Sequence, residues 1–143
     1  MKKVHVHVRV DWSEYCSLGP GKIGLLEAIG RTGSLSGAGR AMGLSYRRAW
    51  LLLHSVNESF DQPSVVLSTG GKDGGGACLT EFGTRLIKKY REFERRVDEL
   101  GATAFAALKP ARTNPPGAAS PRRRLQRTLP HPGGSNGGSG RVL

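Results

Sequence analysis

The stretch GGKDGGG, residues 70–76, places five glycines and one lysine in seven positions. Two kinds of chemistry use such a run. Glycines beside a lysine can cradle a phosphate in an active site. A glycine-rich tip also lets backbone approach a large polyanion with no side chains in the way. Spacing decides against the first. A phosphate-binding loop needs Gly-x-x-x-x-Gly-Lys-Ser/Thr. Here Gly71-Lys72 is followed by Asp73, and Val66 stands where the first glycine belongs. GPGKI at 19–23 fails likewise, with Cys16 at the first glycine position and Ile23 at that of the hydroxyl residue.

Other chemistry-bearing residues are sparse. His5 and His7 share one side of an alternating run, a spacing that can chelate a metal, but no third ligand lies near them in sequence. A solvated face is the reading, and no metal or cofactor is expected. Cys16 and Cys78 fit no Cys-x-x-Cys pattern and have no evident histidine partner, so they read as reduced thiols rather than nucleophiles. With carboxylates scattered, no catalytic residue is expected and the chain is read as a non-enzyme.

The charge favours a polyanionic partner. Of 143 residues, 22 are Lys or Arg and 11 Asp or Glu, a net charge of +11. Residues 110–143 contribute six arginines and no acid. Such a balance suits DNA, RNA or an acidic membrane surface. MKKVHVHVRVDW does not read as a signal peptide, and no stretch approaches the roughly 20 apolar residues that span a bilayer. A cytoplasmic, nucleoid-associated location without membrane contact is expected.

The elements that would position these residues follow from periodicity. Residues 3–12 alternate, with Val4, Val6, Val8, Val10 and Trp12 on one side, which predicts a half-buried strand. Ile23, Leu26 and Ile29 predict a helix over Lys22–Arg31, ended at Thr32-Gly33. Ser34 caps a short helix, Leu35–Met42, broken by Gly43. Ser45 caps a longer one to about Phe60, with an expected apolar stripe of Tyr46, Ala49, Trp50, Leu53, Val56 and Phe60. Two β-prone runs flank the glycines, so residues 64–79 read as a hairpin with a long tip. Thr80 caps a last helix whose Phe82, Leu86, Tyr90, Phe93, Val97 and Leu100 approach a coiled-coil seam. From about Pro110 the Pro, Gly, Ser and Arg content predicts disorder.

Helix, short helix, glycine turn, longer helix, hairpin, helix is the order of a winged helix-turn-helix. Gly39, four residues before Gly43, suits the close crossing of the two helices. The third helix can enter a major groove with its first turn towards base edges. Arg47 or Arg48 on that turn can pair in bidentate fashion with a guanine. Ser45 can bind phosphate or base. Tyr46 reads equally as such a contact or as a core residue. The glycine-rich tip, with Lys72, becomes a wing lying against flanking backbone or minor groove.

TGSLSGAG, SYRRAW and GGKDGGGACLT with the FG after it resemble, in order and spacing, the DNA-binding domain of ModE-type molybdate-responsive regulators, related to the LysR-type helix-turn-helix. The likeness covers about residues 18–95. It implies a homodimer on a palindromic operator, with Ser34, Ser36, Ser45, Tyr46, Arg47, Arg48, Gly71, Lys72 and Gly74 as contacts to double-stranded DNA. Full-length members continue into β-rich molybdate-binding domains, whereas the residues after the last helix show no strand pattern. Molybdate binding by this chain is therefore not expected.

The expected fold class is mainly α with a small β component: a winged helix-turn-helix over 1–108 with an N-terminal strand and a long C-terminal dimerisation helix, then a disordered Pro/Gly/Arg-rich tail over 109–143. The expected function is a sequence-specific transcriptional regulator of the single-domain ModE-like kind, controlling molybdenum-related genes. The alternative is a non-specific architectural DNA-binding protein that uses the wing and the arginines of PRRRLQR. A small-molecule or enzymatic role would rest on the glycine loop alone.

Overall fold

Helix α1 (Pro20–Thr32) carries the centre of the core. The computed structural model describes residues 3–69 and 75–110. Pro20 begins α1 with its φ already set for a helix, and Gly33 ends it in the left-handed region (φ 71°), its N–H donating to the Ile29 carbonyl at 2.9 Å. Ile23, Leu25, Leu26, Ala28 and Ile29 are all buried, because α1 packs against helices α2 (Leu35–Ala41), α3 (Tyr46–Ser59) and α4 (Glu81–Ala104) and against strand β4 (Gly76–Leu79). Short strands β1 (Val10–Asp11) and β2 (Ser17–Leu18) pair antiparallel ahead of α1.

Helices α2 and α3 form the expected helix-turn-helix. Each opens on a serine cap: Ser34 Oγ accepts from the Gly37 N–H at 2.9 Å, and Ser45 Oγ from the Arg48 N–H at 3.1 Å. Gly43 turns the chain with φ 67°. A Cβ on Gly39 would lie 3.4 Å from both Ala49 Cβ and the Leu44 carbonyl, in ordinary contact, so the crossing is close but has room for a methyl. Strand β3 (Val65–Ser68) then pairs antiparallel with β4, Val66 opposite Cys78, to make the wing. The molecule is thus a mainly α winged helix with a small β component. Among the described residues, no helix is long and apolar enough to cross a membrane. The compact unit that begins at the N-terminus ends at Ala107. Residues 111–143, where most of the expected tail falls, lie outside the described residues.

The strand expected over residues 3–12 is corrected. Only Val10 and Asp11 join a ladder; residues 3–9 form an arm along α4. Its polar partners are side chains of that helix. Asp98 Oδ1 accepts from the Val6 N–H at 2.7 Å, its Oδ2 lies 3.0 Å from His5 Nδ1, and Tyr90 Oη donates to the Val8 carbonyl at 2.7 Å. The alternation is real, since Val4, Val6, Val8 and Val10 turn inward and Lys3, His5, His7 and Arg9 outward. Any extended chain on an apolar surface alternates, with or without a neighbouring strand. Trp12 leaves the pattern and is exposed, its ring edge-on to Phe60.

The apolar seam of α4 divides in two. Phe82, Leu86 and Tyr90 are buried or half-buried in the chain's own core, whereas Phe93 and Leu100 stand 49% and 69% exposed. Arg91 binds Glu27 of α1 and Glu94 at 2.8 Å, fixing the first half of the helix to the core.

The Val6 amide first, and then the His5 ring, hold the Asp98 carboxyl below the ordinary carboxylate range. Its folded value is the lower one, so attachment of the arm is complete above about pH 4 and is lost as pH falls through that folded value. The protection of the Val6 amide against hydrogen exchange, relative to its intrinsic rate at each pH, should therefore fall on acidification. Asp98→Ala should produce the same loss of protection at neutral pH, and Asp98→Asn a smaller one, because an amide oxygen still accepts from Val6. Unchanged exchange in Asp98→Ala would show that the arm is held by its valines alone.

Candidate nucleic-acid interface

Helix α3 has two sides with different tasks. Ala49, Leu53 and Val56 are buried against α1 and α2, and Phe60 follows them. Tyr46 and Trp50, expected in the same stripe, are instead 59% and 41% exposed. The core admits only the narrow line 49, 53, 56, 60, and residues 46 and 50 fall on its edge, Tyr46 facing the base of the wing and Trp50 stacked on His54. This decides between the two readings of Tyr46: it is not a core residue.

Tyr46 lines a cleft of about 320 Å³ together with Leu35 and Ser36 of α2, Leu67 and Ser68 of β3, and Thr69, Gly75 and Gly76 of the wing. Sequence positions 35–36, 46, 67–69 and 75–76 thus open on one surface. Arg47 and Arg48, on the same first turn, are exposed, and neither enters an ion pair among the described residues. Two guanidiniums without carboxylate partners beside an open cleft attract phosphate, and either can form a bidentate pair with a guanine.

The expected serines differ in what they offer. Ser36 is exposed on the cleft, while Ser34 is half-buried and uses its oxygen lone pair to cap α2. Ser45 caps α3 in the same way but is exposed, so its hydroxyl hydrogen is free to turn to an acceptor outside the chain. Gly71, Lys72 and Gly74 lie outside the described residues.

The wing keeps its position beside α3 through Asn57, a residue the sequence reading passed over. Asn57 Oδ1 accepts from the Ser64 N–H at 2.8 Å and the Val65 N–H at 3.3 Å, and Nδ2 donates to the Val65 carbonyl at 3.1 Å. Ser64 is fully buried, and its carbonyl accepts from the Thr80 N–H at 3.0 Å. Thr80 Oγ1 in turn donates to the Pro63 carbonyl at 2.7 Å while accepting from the Gly83 N–H at 3.0 Å. A Cβ on Gly83 would collide with the Ser64 carbonyl. The one available signal was an amide residue on the inward side of an amphipathic helix, where a polar group needs partners.

A winged helix-turn-helix with an arginine-bearing recognition turn is the class of protein that fold and site define. No family model matches the chain. Among characterised proteins it is 46% identical over 83 residues to the molybdenum-pterin-binding protein MopB of Rhodobacter capsulatus, a match covering 58% of this chain and 31% of MopB. Identity is 41% over 83 residues with the molybdenum transport protein ModE of Azotobacter vinelandii, covering 55% of this chain and 31% of that one. It is 42% over 71 residues with the DNA-binding transcriptional dual regulator ModE of Escherichia coli strain K12, covering 50% and 27%. The N-terminal part of this chain is therefore related to ModE-type regulators, and the chain spans about a third of the length of these relatives.

Removing the Asn57 amide would leave the Ser64 N–H buried without a partner, at a cost of roughly 1–3 kcal/mol. Asn57→Ala should lower the urea midpoint accordingly. Ser64→Ala should leave it unchanged or raise it, because the buried Ser64 hydroxyl has no hydrogen-bond partner. Equal losses in both variants would mean that side-chain volume, and not the amide pairing, holds the wing.

Proposed function

We propose that this chain is a sequence-specific DNA-binding transcriptional regulator that acts as a homodimer on a palindromic site and controls molybdenum-related genes. The observation that carries the reading is the shared surface of Ser36, Tyr46 and the wing base beside the unpaired Arg47 and Arg48. The first turn of α3 enters the major groove, with Tyr46, Arg47 and Arg48 towards bases and phosphates and Ser34, Ser36 and Ser45 along the backbone. Gly71, Lys72 and Gly74 at the wing tip approach the flanking duplex. No catalytic step is assigned, and the place of action is the cytoplasmic nucleoid.

The homodimer is supported by the second half of α4, where Phe93 and Leu100, seven residues apart on one side, are open. Two-fold symmetry would set the recognition helices about 34 Å apart, one turn of DNA. The link to molybdenum is supported by the relatives, one named for molybdenum-pterin binding and another for molybdenum transport. The residues after 109 are proposed as a basic tail that adds affinity for any DNA.

The test is selection of genomic fragments by the purified protein near physiological salt, with and without molybdate. A recovered palindrome beside molybdenum-related genes is expected. Arg47→Ala should then relax preference at one base pair of each half-site, by about 1–3 kcal/mol of discrimination. Uniform recovery of all fragments would overturn the reading in favour of an architectural protein driven by phosphate contacts.

A further inference from the structure

The exposed side of α3 does not end with its charged first turn. One turn beyond Arg47, on the same side at i+4, stands Leu51, 43% exposed; His54 follows at i+7. Trp50, beside Leu51, makes a parallel stack on His54, with ring centroids 4.9 Å apart and planes 7° from parallel. An exposed leucine next to a stacked indole, on the helix that carries two exposed arginines, leaves apolar surface in water. It is also unlike the opposite side of the same helix, where the apolar residues are buried.

Within a major groove the apolar group that a base edge presents is the C5-methyl of thymine. We infer that Leu51, flanked by Trp50, packs against a thymine methyl in each half-site, and so is a specificity-determining residue beyond the first turn. The inference rests on the DNA-binding reading above. Charge complementarity names the occupant. Arg47 and Arg48 precede this apolar patch on the helix and face outward, which suits a phosphate-lined groove and opposes an apolar protein surface. The rise of a helix sets the register. Four residues advance about 6 Å, so the methyl lies one to two base pairs from the base or phosphate that Arg47 contacts.

The experiment uses the full chain and the site recovered by fragment selection. Each thymine of one half-site is replaced in turn by deoxyuridine, which lacks only the methyl, and the dissociation constant is measured for the native protein and for Leu51→Ala. One replacement should weaken native binding by about three- to fivefold, the worth of one buried methyl. Leu51→Ala should bind the thymine and deoxyuridine sites equally. Replacements without effect at every position would overturn the inference while leaving the regulator reading intact. So would a deoxyuridine penalty that persists in Leu51→Ala. Failure to recover any preferred site would overturn both.

Discussion

The amide of Asn57 is the interaction on which the arrangement of the interface depends. A hairpin of two four-residue strands has little stability of its own and no fixed direction. Here its base is tied at three points. Asn57 binds the entry of β3 to the recognition helix. The Ala77 N–H donates to the Gly33 carbonyl at 2.8 Å, joining β4 to the end of α1. Thr80 closes the hairpin and starts α4 with one hydroxyl. The wing therefore inherits its direction from the helices. Its distance from Tyr46 is set by covalent and hydrogen-bonded geometry rather than by the tip.

Close packing imposes the complementary constraint. Helix α3 can present one side to a partner only if the other is fully engaged, and that side is narrow. Ala49 meets Gly39 at the crossing with α2, and Gly83 brings α4 down onto the buried Ser64 carbonyl. The second contact exploits the absence of side-chain bulk, because a Cβ on Gly83 would collide with the Ser64 carbonyl, so a larger residue at 83 would move the wing relative to α3. The cleft between them would open or close accordingly. Under the proposed function, affinity for DNA would thus be coupled to residues that never touch it.

Much of this was legible in the sequence, and the misses have a common cause. Caps and turns are local chemistry, so Ser34, Ser45, Thr80, Gly33 and Gly43 announced the helix ends within a residue or two. The order of elements then gave the winged helix. What periodicity could not supply was the identity of the neighbour. Residues 3–9 alternate because they lie on a surface, and nothing local says that the surface is a helix bearing Asp98 and Tyr90. Trp50 fits an apolar stripe by spacing, yet the core beneath that edge of α3 is already filled, so its ring turns outward to stack on His54. Asn57 carried only the signal of an amide on the inward side of an amphipathic helix, and its partners, Ser64 and Val65, were made adjacent only by the fold.

The arm also clarifies what α4 leaves open. Val4 and Val6 crowd Gly101, where an added Cβ would stand 3.0 Å from Val6 Cγ2 and 3.3 Å from Val4 Cγ1. Asp98 and Tyr90 fasten the same run of chain one and three turns earlier. One flank of the second half of α4 is thus covered from within the chain, which leaves the strip of Phe93 and Leu100 as its uncovered apolar edge. The charged residues beside it already satisfy one another: Arg96 with Glu92 at 3.0 Å, and Arg95 with Glu99 at 2.6 Å. A second copy meeting this strip would need to bring a counter-charge only for Lys89, which lies beside Phe93 and enters no ion pair among the described residues. Apolar burial would then drive association, and the arm, by fixing which flank is covered, would set the direction from which the copy approaches.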